Sequence, residues 1–188
     1  MLSTLNAHYT AELTQSDLCK SLGGLKVPML EIGSKAKAEN RKLVVITARV
    51  HPGETTGSWM VEGLIKWLIS NDESAFELRR RCVIKIIPML NPDGVLAGNY
   101  RTSLAGTDLN RKWTEPDPSL YPTIFHAKKL ATSADVYIDL HGHSKKDGYF
   151  MYGNRVPRRD PNYWTTKFLP TLLSKLNPCF LLQNTRFV

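Results

Sequence analysis

Apolar residues in this chain gather into short runs, each closed by a polar or Pro/Gly-marked turn. Leu43-Val44-Val45-Ile46-Thr47-Ala48, the run 82–90 and Asp135-Val136-Tyr137-Ile138-Asp139-Leu140 are nearly continuous and rich in β-branched residues. That pattern predicts strands buried on both faces. Val27-Pro28-Met29-Leu30-Glu31-Ile32 reads as a further strand, and Pro28 makes it an edge or a strand start. Residues 55–70 carry Trp59, Gly63, Leu64, Trp67 and Leu68 at helical spacing, which predicts an amphipathic helix capped by Thr55 or Thr56 with its tryptophans inward. Residues 124–131 and 162–176 read as helices, the second interrupted at Pro170. The opening residues up to Leu22 are expected to hold a short helix. Residues 34–42 read as a charged turn, 75–81 as a short turn, 95–122 as a long polar loop, and 149–152 and 180–182 as strand pieces.

Strand, helix, strand, loop, helix, strand is the order of an α/β fold. The expectation is a mixed, largely parallel sheet with helices on both faces. In such sheets ligands bind beyond the carboxyl ends of the strands. His51-Pro52-Gly53-Glu54, Asn91-Pro92-Asp93-Gly94 and His141-Gly142-His143 each follow an apolar run, so the topology brings three loops to one sheet edge. With no linker, repeat or low-complexity stretch, residues 1–188 read as a single domain with 1–42 as its lead-in.

Composition narrows the function classes. The 42% hydrophobic and 22% charged fractions over 188 residues suit one globular domain. No apolar run of transmembrane length and no signal-peptide pattern occurs, so no membrane association is expected. Cys19, Cys82 and Cys179 are odd in number and far apart, which reads as reduced thiols in a cytoplasmic protein. The net charge of +8 is either solvated surface or attraction to an acidic partner. No nucleic-acid module accompanies it.

Two imidazoles and one carboxylate are the donors of a catalytic zinc that keeps a position open for water. His51 and Glu54 lie on one turn, and His141 would close the set from far downstream. Taken alone, the His51/Glu54 pair is equally a helix-start ion pair, and His141 alone reads as a buried, hydrogen-bonded histidine. Their shared place at strand ends favours zinc. Metal-bound histidines need a carboxylate or carbonyl on the other ring nitrogen; Asp108 and Asp139 are candidates. Asn110 and Arg111 form either part of a solvated basic loop or, beside zinc, a clamp for a carboxylate, with Arg101 then placed to stabilise an oxyanion.

With these motifs in their order, the chain resembles the zinc carboxypeptidases, and among them the cytosolic carboxypeptidase branch, whose members remove glutamates from protein tails. The resemblance rests on His51-Pro52-Gly53-Glu54, Asn91-Pro92-Asp93-Gly94, Asn99-Tyr100-Arg101, the run 106–111 and Asp139-Leu140-His141-Gly142-His143-Ser144. It implies His51, Glu54 and His141 as zinc ligands and Asp108 behind His51. It implies Asn110 and Arg111 on the substrate's terminal carboxylate and Arg101 on the oxyanion. The implied activity is removal of C-terminal amino acids, glutamate first, from acidic tails or polyglutamate side chains, those of tubulin among them. The family's general base is a glutamate downstream of the third ligand, and no glutamate follows Glu115 here. The sheet is therefore expected to be C-terminally incomplete. That departure sustains an alternative, an inactive module that binds zinc and peptide carboxylates. A zinc acylase for N-acyl amino acids is a further alternative.

Overall fold

The computed structural model describes residues 13–33 and 40–188. They fall into two compact units, one ending at Gly142 and one spanning His143–Val188. Each is described by itself.

The larger unit is built on a five-stranded sheet: β1 (Leu13–Lys20), β2 (Lys26–Ile32), β3 (Lys42–Ala48), β4 (Cys82–Ile87) and β5 (Val136–Leu140). Their order across the sheet is β1-β2-β4-β3-β5. The β1–β2 and β2–β4 pairs are antiparallel, while β3 runs parallel to both β4 and β5. The mixed sheet expected from the sequence is present. β3 and β4 sit between partners on both sides, in keeping with their unbroken apolar runs.

Alternation along the strands builds two cores. Ile46, Ala48, Ile84 and Ile86 face Val61, Ile65 and Leu68 of α1 (Thr56–Leu68), with Leu78 of α2 (Glu73–Arg81) packed alongside. Val27, Val45 and Ile87 point the other way, onto Ile124 and Ala127 of α4 (Pro122–Ser133). Helices thus cover both faces. Between them in sequence lies the five-residue α3 (Pro92–Leu96), followed by a 3-10 turn at Leu109–Arg111.

Local expectations are corrected at several points. Residues Leu13–Lys20 are a strand where a helix was expected; the remaining residues of that expected helix, 1–12, lie outside the described residues, as do 34–39 of the charged turn. β2 is flanked on both sides, although it contains Pro28. The proline is accommodated because β4 pairs only with Leu30–Ile32, and β1 is irregular opposite, between Asp17 and Cys19. Trp59 is 70% exposed: the buried stripe of α1 runs through Gly57, Val61, Ile65 and Leu68. Thr55 occupies the N-cap position without a side-chain cap bond. Residues Glu73–Arg81 form a full helix, because Asp72 accepts the Ala75 N–H and three arginines complement its C-terminal dipole.

The smaller unit holds a two-stranded parallel sheet, β6 (Tyr152–Gly153) with β7 (Arg186–Phe187), and α5 (Tyr163–Leu176). Strand character at 149–152 shrinks to Tyr152–Gly153 plus a bridge from Tyr149 to Phe180. α5 runs through the buried Pro170 without a break.

Candidate metal centre

β3 delivers the first group of side chains. It ends at Ala48, and Arg49 turns the chain with a positive φ of 56°. The Arg49 side chain fixes the following turn, donating to the Pro52 carbonyl at 2.7 Å and to Ser58 Oγ at 2.8 Å. His51 is thereby buried at the head of the turn, with Glu54 at the foot of α1.

The motif after β4 supports that turn from beside. Buried Asn91 donates to the carbonyls of Val50 at 3.1 Å and Thr102 at 3.3 Å, and it accepts the Gly94 N–H at 3.0 Å. Gly94 is needed for closeness: a Cβ there would sit 2.6 Å from Pro52 Cγ. Asp93 turns away and takes Ser21 Oγ at 2.6 Å and the Gly23 N–H at 3.0 Å, anchoring the β1–β2 turn. β5 brings the third group. Gly142 donates its N–H to Glu54 Oε2 at 2.8 Å, and a Cβ on Gly142 would meet Thr56 Oγ1 at 2.5 Å.

His51, Glu54 and His141 converge, each offering one ligand atom within 4.8 Å of the others. Both histidines turn Nδ1 toward the same carboxylate. His51 Nδ1 is 2.8 Å from Glu54 Oε1, and His141 Nδ1 is 2.9 Å from Oε2. Each places Nε2 against another acid: His51 on Asp108 at 3.0 Å, His141 on Asp139 at 2.8 Å. These are the two carboxylates expected behind the ligands.

The donor set fits zinc. Two imidazole nitrogens and one carboxylate leave a position open. The far nitrogens are held by carboxylates, which aims the near ones at the centre. The His51 contact with Glu54 is too poorly directed for a hydrogen bond, so the buried Nδ1 has no hydrogen-bond partner. A buried polar atom without a partner is costly, and a metal at this point removes that cost.

Charge is concentrated here. Burial alone would raise the Glu54 carboxyl, but the bonds from His141 and the Gly142 amide, with the His51 imidazole close by, outweigh it and hold Glu54 far below the usual range. Burial would lower His141; its bonds to Asp139 and Glu54 prevail and push it up to about 10. Asp108 is lowered too, with burial outweighed by His51, the Asn110 amide and Arg101.

Asp108 also ties the centre to the loop that holds Arg101, Asn110 and Arg111. Its Oδ2 accepts Arg101 Nε at 2.8 Å, and its Oδ1 caps the Leu109–Arg111 turn through the Asn110 N–H at 2.9 Å. Arg101 Nη1 lies 3.8 Å from Glu54 Oε1, at the rim of the centre. Asn110 Oδ1 takes Trp113 Nε1 at 3.0 Å. The exposed Arg111 forms no salt bridge among the described residues and makes a 3.5 Å bond to the Asn110 carbonyl.

The zinc carboxypeptidase family model matches residues 1–146. The chain belongs to this family. It is 40% identical to cytosolic carboxypeptidase 1 of Gallus gallus over 93% of its own length, and likewise to cytosolic carboxypeptidase 4 of Homo sapiens. It spans only 16% and 18% of those relatives. The solved metallo-carboxypeptidase of Burkholderia cenocepacia superposes with a TM-score of 0.88 at 27% identity, over all of this chain and 51% of that one. Among the described residues, no helix is long and apolar enough to cross a membrane.

Several residues around this candidate site went unread in the sequence. Arg49 gave no signal, since a left-handed non-glycine conformation is invisible in residue type. Thr47 and Tyr137 looked like ordinary members of buried strands. Their signal was the alternation Tyr137, Asp139, His141, which puts all three on one face of β5 and its continuation.

Proposed function

We propose that this chain carries the metal and carboxylate site of a cytoplasmic metallocarboxypeptidase that removes C-terminal glutamate from acidic protein tails or polyglutamate side chains, tubulin's among them. The observation that carries the reading is the pair of imidazole Nδ1 atoms set on the two oxygens of Glu54, with Arg101 at the rim. Zinc bound there supplies a Lewis acid and a water of lowered pKa. His51, Glu54 and His141 hold it, while Asp108 and Asp139 keep both histidines in the Nε2–H form. Asn110 and Arg111 receive the free terminal carboxylate, which restricts the site to chain ends. Arg101 swings its guanidinium from Asp108 toward the oxygen that becomes negative as the scissile carbonyl is attacked. The glutamate preference draws on the resemblance to the cytosolic carboxypeptidase branch and on the net charge of +8.

One observation favours a second reading, a module that binds without turnover. Glu54 serves the metal, Asp108 and Asp139 each hold a histidine, and no glutamate follows Glu115. No described carboxylate of the centre is left to take the proton of the attacking water, a task worth about 10²–10⁴ in rate. The deciding experiment incubates the zinc-loaded chain with peptides ending in glutamate and measures released glutamate. Release that is lost in His141→Ala establishes the enzyme. Stoichiometric zinc uptake and peptide binding without release establishes the module. Release from N-acyl amino acids but not from peptides replaces both with an acylase.

A further inference from the structure

Behind His141 the hydrogen bonds continue. Asp139 takes His141 Nε2 on Oδ2 at 2.8 Å and Thr47 Oγ1 on Oδ1 at 2.7 Å. Thr47 Oγ1 also lies 2.8 Å from Tyr137 Oη. The register makes the chain possible: Thr47 pairs with Asp139 and Val45 with Tyr137, so all these polar groups share one face of the β3–β5 ladder. Thr47 is fully buried.

Proton counting gives the network a direction. A carboxylate only accepts, and a hydroxyl has one proton. Thr47 gives its proton to Asp139, so its oxygen must accept the one from Tyr137. Asp139 then demands a proton from His141 Nε2, leaving Nδ1 directed at Glu54. The tyrosine is a fixed donor at the end of a one-way chain.

The ring of Tyr137 also has a second neighbour. It meets Trp113 edge-on, with centroids 5.7 Å apart at 63°. Trp113 Nε1 in turn donates to Asn110 Oδ1 at 3.0 Å, which orients the Asn110 amide in the loop with Arg111.

We propose that Tyr137 is a positioning residue that couples the His141 metal ligand, through Thr47 and Asp139, to the Asn110–Arg111 carboxylate clamp, through Trp113. Its hydroxyl serves the metal and its ring serves the clamp. A terminal carboxylate that settles Asn110 and Trp113 presses on the same tyrosine that fixes the third metal ligand. The proposal rests on the metal-site reading above.

The two halves of Tyr137 are separable by substitution. The test titrates zinc into the 188-residue chain and into Tyr137→Phe, Thr47→Val, their double variant and Tyr137→Leu. It also records the visible spectrum of each cobalt(II)-loaded form and the affinity of N-acetyl-Ala-Glu. Removing a direct partner of a metal-bound histidine costs about 10–100-fold in metal affinity. Thr47→Val and Tyr137→Phe, one and two bonds further out respectively, are expected to lower zinc affinity by less than that and to shift the cobalt bands. The double variant is expected to lose no more than the larger single loss, because the two hydroxyls act in series. Tyr137→Phe keeps the ring and leaves peptide affinity unchanged, whereas Tyr137→Leu weakens it about tenfold, the scale of one charge-assisted hydrogen bond. Unaltered zinc affinity and cobalt bands in Tyr137→Phe, or additive losses in the double variant, overturn the relay. Unaltered peptide affinity in Tyr137→Leu overturns the coupling. Tyr137→Phe preserves the packing and decides the relay even where Tyr137→Leu unfolds. If the unaltered chain takes up no zinc, the metal-site reading fails and the relay fails with it. One zinc per chain with silent variants sinks the relay alone.

Discussion

Asp108 holds the far side of His51: its Oδ1 stands 3.0 Å from His51 Nε2, while Nδ1 of the same ring faces Glu54. The carboxylate selects the tautomer whose Nδ1 lone pair is available to a metal. Asp108→Asn keeps the shape and weakens that selection. Zinc affinity should fall about 10–100-fold, the usual cost of losing such a partner, with the stoichiometry at saturation unchanged. Arg101→Ala removes another partner of the same carboxylate but leaves the His51 contact in place. It should keep zinc affinity near that of the unaltered chain. Competition with a chromophoric chelator distinguishes the two. Equal losses would mean that Asp108 acts on the loop rather than on His51.

The junction of Asn91 and Gly94 with the 50–53 turn is rigid for a different reason. Three hydrogen bonds converge on the buried Asn91 side chain. Asn91→Ala takes this partner from the Val50 carbonyl and the Gly94 N–H, at about 1–3 kcal/mol for each buried group left unsatisfied, while the Thr102 carbonyl keeps Asn99 Nδ2 at 3.2 Å. Gly94→Ala drives a methyl into Pro52 and the Thr102 carbonyl, overpacking worth about 1–3 kcal/mol. Both variants should lower the urea midpoint with little change in slope. An unshifted midpoint in either one would contradict the packing described.

What the sequence disclosed follows the range of each interaction. His51 and Glu54 were legible because their spacing matches one turn beside a strand run, and His141 because it ends another run. Asp108 stood with Asp139 as a candidate carboxylate behind the histidines, but its pairing with His51 came from the family resemblance, since its loop has no periodicity to read. Thr47 and Tyr137 were missed because a hydroxyl among β-branched and aromatic residues looks like strand filler. Only the register of β3 against β5 reveals its partner. Trp59 was misplaced inward because stripe counting began one face away from Val61, Ile65 and Leu68. β1 escaped because it is an edge strand with mostly exposed side chains, which leaves little apolar pattern to detect. Strands buried on both faces announce themselves, whereas edges and relays depend on neighbours far away in sequence.

Arg111 is exposed and pairs with no acid among the described residues, which leaves its guanidinium available to an incoming carboxylate. Arg111→Ala should weaken binding of a peptide with a free C-terminal glutamate by about 1.5–3 kcal/mol, roughly tenfold to a hundredfold. Binding of the same peptide with an amidated C-terminus should barely change. Fluorescence anisotropy on the zinc-loaded chain measures both. Equal effects on the two peptides would remove Arg111 from the clamp.

Asp135 ties the start of β5 to β3. One of its oxygens takes Lys42 Nζ at 2.8 Å and the other the Leu43 N–H at 2.8 Å. Those bonds, Lys42 first, hold the Asp135 carboxyl below its ordinary value of 3.8. A carboxyl lowered on folding stabilises the native chain above its unfolded value, and that contribution is lost as the pH falls through the folded value. Lys42 is raised above 10.5 by the same partner, so its share is present at neutral pH and lost as the pH climbs past the folded value. Asp135→Ala should therefore lower Tm at pH 7. It should also flatten the acid limb of the Tm-versus-pH curve below about pH 4, where the unaltered chain loses this bond anyway. Both groups are solvent-exposed, so 0.5 M salt should shrink the Tm gap between variant and parent at pH 7. A gap that is the same at pH 3 and pH 7 would show that the side chain acts by shape and not by charge.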